Sequence, residues 1–343
     1  MSNKPPIEVP QGAIRLNTDS QRLEFYAQDR WHEMATDSPT LFDKTNSDQS
    51  GGARGIFMGG FSPSNSDRID GITIPTQGDA VDFGNLTEAR GAAGAAASNT
   101  RALLFGGTPP VQDNKNIIDT MTIASTGDAL DFGDLLDPGH WTQPASNQTR
   151  ALAAGGNGIG NRIQYVTIST FGDSDDFGDL AIAGSRSVAA NSSNQSPTRG
   201  FFGGGTPVNT NVIEFVNITT LGNSMDFGDS STKVAREARG SSATRALLIG
   251  GTREEPSSSS IIDYFTMSTL GNAVNFGDAR SSIKNSAGCS DSIRVAFALG
   301  DAPSASDTIE YVNISTGGDA IDFGNLSQAR NHLGGCSNGH GGL

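Results

Sequence analysis

Three sets of residues in this 343-residue chain have types that could do chemistry. The first is an acid beside phenylalanine and glycine. The runs "VDFGN", "LDFGD", "DDFGD", "MDFGD", "VNFGD" and "IDFGN" carry Asp82, Asp131, Asp176, Asp226 and Asp322, with Asn275 in the one copy that lacks the acid. Asp-Phe-Gly holds magnesium in phosphoryl transfer only beside a catalytic His-Arg-Asp, a strand lysine and a glycine-rich phosphate cover. This sequence offers none of those. The second set is arginine: Arg54, Arg101, Arg150, Arg199, Arg245 and Arg294 open one kind of run, and Arg90, Arg186, Arg239, Arg280 and Arg330 precede another. Such a set could ring an anion, but the triplet acids keep it company, so charge-assisted Arg-carboxylate pairs are expected instead. The third set is the acidic turn "GDAxDFGD". Calcium needs six to eight converging oxygens, whereas Gly-Asp and Gly-Asn are what a tight turn demands, so a turn is expected. His32, His140, His332 and His340 share no metal-ligand spacing, and no Ser, His and Asp set stands apart. The expectation is a chain that is not an enzyme and carries no cofactor and no metal.

These residues recur in step. The triplet phenylalanines stand at 83, 132, 177, 227, 276 and 323, at intervals of 49, 45, 50, 49 and 47 residues. The run "TRALLFGG" from Thr100 returns as "TRALAAGG" from Thr149, "TRGFFGGG" from Thr198 and "TRALLIGG" from Thr244. Looser copies are "ARGIFMGG" from Ala53 and "IRVAFALGD" from Ile293. A residue that repeats with the fold's period belongs first to the fold, and a period of roughly 40–50 residues marks a solenoid, a propeller or an array.

Each period holds four short runs bounded by Gly, Asn, Ser and Pro: a small-residue run such as "GAAGAAASN", the "TRALLFGG" run, a run such as "VIEFVNI", and the triplet run. None is long or periodic enough for a helix. Four strands per period and six copies predict an all-β fold, a six-bladed β-propeller over residues 51–343. The small-residue strand suits a place where space is tight. The triplet phenylalanine becomes the plug between blades, each burying on the order of 150–250 Å². The repeats begin at "ARGIFMGG" and end on an orphan small-residue strand in "ARNHLGGCSNGHGG", so that C-terminal strand is expected to complete the first blade.

Residues 1–35 read as a small β-meander with strands in "AIRLN", "RLEFYA" and "RWHEM", and residues 36–50 as a linker. A meander of this size is marginal alone. It is therefore expected to be an attachment element, with Phe25, Tyr26 and Trp31 as contact material.

With 37 acidic and 23 basic side chains the net charge is −14, which argues against binding a nucleic-acid backbone. No apolar run reaches membrane-spanning length. "MSNKPPIEVPQ" lacks the apolar centre of a signal peptide, so synthesis in a cytoplasm is expected. Cys289 and Cys336 occupy matching places in two small-residue strands. Two free thiols are the first reading for such a product, and a bridge between adjacent inner strands is the alternative.

The paired Gly closing the second strand, the apolar third strand and the Arg before the small strand are similar to the kelch repeat, with the triplet Phe where kelch carries Trp. The variant "TRALLFGG…STxGDAxDFGDL…AR" resembles the kelch-like repeats of phage virion proteins, tail and fibre proteins of marine phages above all, over about residues 51–342. "GAIRLNTD…LEFY…W" at the N-terminus resembles a segment of many phage tail and fibre proteins. The resemblance implies a phage virion structural protein, bound to other virion proteins through its N-terminal region and localised to the virion. Its propeller would face a host-surface glycan or protein, or another virion protein. A tail fibre or tail-associated position comes first and capsid decoration or a head fibre second; a homo-oligomer is compatible with both. A cellular kelch-type interaction adaptor is the alternative from another class, disfavoured because no helical adaptor segment precedes the repeats.

Function is expected where the repeats disagree. The loops between second and third strands ("TPPVQDNKN", "NGIGN", "TPVNTN", "TREEPSSSS", "DAPSASD") vary, as do those from the fourth strand to the next blade ("LLDPGHWTQP", "SSTKVAREA"). In an up-and-down blade both sets lie on one face, and variable loops on a rigid scaffold hold binding residues. His140 and Trp141 replace the Arg of their repeat, and a loop Trp is a favoured contact for sugars or proteins; the alternative is that Trp141 fills a gap between blades. Arg253 and Glu254 are the charged candidates on the same face.

Overall fold

The computed structural model describes residues 13–17, 22–27, 30–33, 53–108, 114–182, 192–205, 210–253 and 258–343. The chain divides into two compact units, Met1–Ser50 and Gly51–Leu343. In the first, Ile14–Asn17, Arg22–Ala27 and Arg30–Glu33 form an antiparallel three-stranded meander. Tyr26 lies opposite Trp31 in the register, the two rings edge to face at 5.3 Å, and the Arg15 guanidinium stands 4.1 Å from the Trp31 ring centre. Phe25 falls in the middle strand, but its side chain, like the 36–50 linker, lies outside the described residues.

The second unit is a six-bladed β-propeller of four-stranded antiparallel sheets, with no helix among the described residues. Strand order from the axis outward follows the sequence, as in blade 2: Gly94–Ala97, Arg101–Phe105, Ile117–Thr122, Leu130–Asp134. Blade 4 has only a two-residue inner strand, Asn194–Gln195, and blade 5 an outer strand of ten, Val274–Ile283. Blade 1 is built from both ends of the repeat region: Gly334–Ser337 pairs with Arg54–Met58, in the register Gly334↔Met58 and Cys336↔Ile56. The ring closes as the offset of its repeats requires.

The inner strands are small because neighbouring backbones nearly touch. A Cβ on Gly335 would lie 2.6 Å from the Gly288 carbonyl oxygen. Where these strands end, hydroxyls stitch blade to blade: Ser146 Oγ donates to Ala97 O at 2.8 Å, Ser241 to Gln195 O at 2.9 Å and Ser290 to Ser241 O at 2.9 Å. Cys289 and Cys336 are free thiols buried here, both pushed up by desolvation. The six triplet phenylalanines are all buried. Phe83, for example, packs between Ile56 and Ile69 of its own blade and Leu104, Met121 and Ile123 of the next.

The acidic turn proves to be an inter-blade clasp. Asp128, in the turn before the outer strand of blade 2, accepts from Asn85 N of blade 1 at 2.9 Å, while Gly127 N and Ala129 N donate to Phe83 O and Asn85 O. The same side-chain bond recurs at the other five junctions through Asp173, Asn223, Asn272, Asp319 and Asp79, each at 2.9–3.1 Å. The triplet glycine makes room for it: Gly84 has φ +150°, and a Cβ there would sit 2.3 Å from Gly127 O.

The arginines of the second strands do not take the triplet acids, which point to solvent. Arg101 donates instead to Ile168 O of the next blade at 2.9 Å, Arg150 to Ile218 O at 3.1 Å and Arg199 to Met267 O at 2.9 Å. Arg54, Arg245 and Arg294 complete the ring on Ile123 O, Ile314 O and Pro75 O. Four of the guanidiniums also lie 4.8–4.9 Å from the ring of Tyr165, Phe215, Tyr264 or Tyr311 in their own third strand. Backbone carbonyls win because they project from the next blade's turn at a fixed place, whereas the triplet acid is free to be hydrated on the outer edge.

Candidate functional site

The second arginine series finds acids that sequence reading passed over. The third strand of every blade carries a buried acid or amide: Asp70, Asp119, Gln164, Glu214, Asp263 and Glu310. Each accepts from the connection leaving the preceding blade, as Asp119 does from Thr87 Oγ1 at 2.6 Å and Gln164 from Leu136 N at 2.7 Å. Arg90 pairs with Asp119 at 2.9 Å and Arg330 with Asp70 at 2.5 Å, all four side chains fully buried. Arg239 pairs with Glu237 at 2.6 Å and donates to Gly203 O at 2.7 Å. Of this series Arg280 meets a triplet acid, Asp322, at 3.0 Å on the surface, as Arg68 and Arg162 of the third strands meet Asp82 and Asp176 at 3.8 Å. Arg186 lies outside the described residues. The recurring third-strand acid in "RID", "IID", "VIE" and "TIE" was the signal available for this network.

Arg253 joins it. A short pairing of Thr252–Arg253 with Val234–Ala235 draws the residue inward, where it is 7% exposed, 2.7 Å from Asp263 and 2.8 Å from Thr232 Oγ1. Its charge is spent on the fold of blade 5. Glu254 lies outside the described residues.

The other candidate pair, His140 and Trp141, stands at the centre of the variable face. That the two loop sets share one face is written in the backbone: Gly60 N donates to Arg90 O, Gly107 N to Gly139 O, and His140 and Asn157 bridge in both directions. Two residues before the inner strand, five connections place a non-glycine residue in the left-handed region: Ala92 (φ +56°), Trp141 (+55°), Arg236 (+63°), Asn285 (+54°) and His332 (+55°). Their backbones are chained around the axis, with Trp141 N donating to Ala92 O, Ala92 N to His332 O and His332 N to Asn285 O. Five blades thus bring one equivalent side chain each to the mouth of the central channel.

The mouth combines neutral imidazole and indole rings with the charged side chains of Arg236, Lys284 and Asp301. The Trp141 ring lies 4.4 Å from that of His140 and, passing over the small Ala92 of the intervening blade, 6.2 Å from that of His332. His140 Nδ1 donates to Asn114 Oδ1 at 2.6 Å, and burial lowers its pKa. His332 Nδ1 donates to Asn331 Oδ1 at 2.8 Å; burial brings its pKa down to about 4, with Arg236, His140 and Lys284 acting the same way and Asp301 opposing. Asp301 is held by Asn285 Nδ2 at 2.7 Å and Asn331 Nδ2 at 2.6 Å. Sequence reading found the residues of one blade because they broke the Arg pattern; it missed Arg236, Asn285 and His332, whose equivalence lies in backbone conformation.

The opposite end of the channel is crossed by the last residues. Gly341 N donates to Ser241 O of blade 5, while His340 Nε2 donates to Ala97 O of blade 2 at 2.7 Å and its Nδ1 accepts from Gly342 N at 3.0 Å. Burial and this use of Nδ1 as an acceptor hold His340 neutral, its pKa down to about 4. Among the described residues no three His, Cys, Asp or Glu side chains gather as metal ligands. No protein-family model matches the chain, and no curated protein sequence matches it.

Proposed function

We propose that this chain is a non-enzymatic binding protein that presents the channel mouth and its surrounding loops to a partner, and that it serves as a structural protein of a phage virion, in a tail fibre or tail-associated position. One observation carries the binding reading. Five of six blades bring chemically different side chains to a single point on a frame whose joints are otherwise repeated. A fold with that arrangement is built to vary what it touches without changing how it stands. The virion reading draws on the kelch-like repeat variant and on the "GAIRLNTD" segment of the meander, whose Tyr26 and Trp31 provide aromatic contact material for a neighbouring virion protein. Capsid decoration is the second position for the same anchor-and-display plan.

Immunogold imaging of purified particles with antibody to the chain tests the location: label at the tail is expected, label on the head moves the protein to decoration, and unlabelled particles overturn the virion reading. Particles carrying Trp141→Ala are expected to assemble normally and adsorb to host cells less well. Unchanged adsorption after replacement of the whole loop face would make the propeller a structural element instead of an adhesin.

A further inference from the structure

The display reading concerns the connection end of the propeller; the clasp end holds a pocket of its own. In blades 3 to 6 the third-strand residue opposite the start of the outer strand is aromatic: Tyr165, Phe215, Tyr264 and Tyr311. Each ring lies 4.8–4.9 Å from the second-strand guanidinium and 5.9–6.0 Å from the triplet phenylalanine of its blade. In blade 6 its hydroxyl accepts from Gln77 Nε2, in the turn of the next blade, at 3.2 Å. Blades 1 and 2 have Gly71 and Thr120 at this position instead. In blade 1 the triplet ring closes the gap itself, since a Cβ on Gly71 would lie 2.9 Å from Phe83. In blade 2 a substitute comes from the turn of blade 3: Phe171 stacks on Phe132 at 5.2 Å and takes the Arg101 guanidinium at 4.9 Å, yet stays 53% exposed. It leaves a pocket of about 200 Å³ against Thr120, walled by Met121, Leu130, Arg101 and the 125–128 turn. Such a space holds one six-membered ring, for a cavity of about 150 Å³ already takes benzene.

Three polar side chains of the pocket are already committed to the fold. Thr120 Oγ1 donates to Ala102 O at 3.1 Å, Arg101 donates to Ile168 O, and Asp128 accepts from Asn85 N. The pocket thus offers an apolar and aromatic wall, with the exposed Ser125 and Thr126 at its rim for a polar tip. Tyrosine has that shape, an apolar ring ending in one hydroxyl. The surroundings point to a protein. Among the described residues, eight of the eleven exposed large apolar side chains lie in the clasp turns or begin the outer strands, as Leu130 and Phe171 do at the pocket and Leu221, Met225, Leu270 and Val274 do farther round. Apolar side chains grouped at one end mark a docking surface. Exposed acids stand beside them, Asp131 next to Leu130 and Asp226 next to Met225, whereas Lys115, Lys233 and Lys284 all lie in loops of the opposite end. We propose that the clasp end docks a partner protein through a tyrosine side chain that enters the blade 2 pocket, with lysine or arginine beside it to meet the carboxylates. Such docking does not depend on what the loop face binds.

The test uses the full chain labelled at its methionine methyls and titrated, under NMR, with the acetylated and amidated tripeptide Lys-Tyr-Lys. Met121 lines the pocket, whereas Met267 is buried in blade 5. Saturating shifts at Met121 are expected, with Met267 unmoved. Affinity should fall by about tenfold or more for Lys-Ala-Lys, for Glu-Tyr-Glu and in Phe171→Ala. Thr120→Tyr combined with Phe171→Leu gives this junction the pair that the next one carries in Tyr165 and Leu221; it should abolish binding and melt no lower than the natural protein. No shift at Met121, equal binding of Lys-Ala-Lys, or binding that survives the double variant would each overturn the proposal. If the double variant melts lower, Phe171→Ala and Lys-Ala-Lys still decide. Saturation by methyl glycosides with no response to the tripeptide would make the pocket a sugar site and overturn the tyrosine. A sedimentation change from oligomer to monomer in the double variant would put a second copy of the chain there and overturn the partner.

Discussion

The two ends of the propeller are made from the same four strands but use them differently. At the end carrying the turns into the outer strands, all six junctions repeat one bond, from a backbone N–H after the triplet to the side chain of an Asp or Asn in the next blade. At the end carrying the connections between blades, the backbone repeats just as faithfully, with φ between +54° and +63° at five equivalent places. The side chains there are Ala, Trp, Arg, Asn and His. A non-glycine residue in this region costs roughly 1–2 kcal/mol, a cost accepted five times. The difference shows where each kind of information is stored: side-chain identity is fixed where blade grips blade, and backbone conformation alone is fixed at the connections that lead from blade to blade.

The largest test of that division removes the grip altogether. Deleting residues 329–343 takes away Arg330, the inner strand of blade 1 and the segment across the channel, and should abolish the cooperative melting transition seen by calorimetry. An unchanged melting temperature would show that the ring does not depend on its closure. Next comes a single plug. Phe227 is buried with ring centres of Phe201, Phe215 and Phe265 at 5.1, 5.9 and 5.2 Å, so Phe227→Ala should cost about 3–5 kcal/mol in denaturant unfolding and leave the loop face unaltered. A loss under about 1 kcal/mol, ordinary for a surface change, would refute the plug.

Acid should then separate the two channel ends. His340 has a folded pKa of about 4 against 6.5 for the ordinary group, so the unfolded chain binds the proton more readily. The stability it contributes is present above about pH 6.5 and is lost as pH falls toward 4, up to about 3 kcal/mol for a shift of this size. His332 acts with the same sign, whereas Asp291 and Glu310, raised by burial, act with the opposite one at the lower part of the range. Melting temperatures measured from pH 7 to 4 should therefore fall less steeply for His340→Gln than for the natural sequence; parallel curves would mean that the imidazole does not sit where Gly342 N can donate to it. The smallest effect is expected at one clasp. Asp128→Ala removes a single partly exposed acceptor and should cost about 1 kcal/mol, with two or more pointing to clasps that act as a coupled set.

Much of the fold was legible because the repeat made it so. The period of the triplet, the four runs and the offset between first and last strands specified six blades and the closure of blade 1. What charge would do was less legible. Arg and Asp recur together in the sequence, yet the arginines of the second strands reach carbonyls of the next blade, a partner that carries no sequence signature. Arg253 looked like a loop charge, and only the pairing of Thr252–Arg253 with Val234–Ala235 reveals it as the counter-ion of Asp263. At the mouth, Trp141 stood out by breaking a pattern, while Asn285 and His332 are equivalent to it only through a dihedral angle.

Blade 1 also sets the order of events in time. Arg54 N donates to Asn338 Oδ1 across 284 residues of sequence, whereas neighbouring blades meet across about 50, as Asn147 and Pro197 do. By loop-closure entropy the longer loop costs only about 1.5 kcal/mol more, so the seam adds little to the equilibrium. Kinetically it is different, because contacts between distant residues form slowly unless something already holds them near. The five locally formed blades do that: each clasp turns the growing arc by one step, until the last strand arrives beside the first. The seam is therefore expected to form last, and the edge of Arg54–Met58 would stand unpaired and open to capture by another chain until it does.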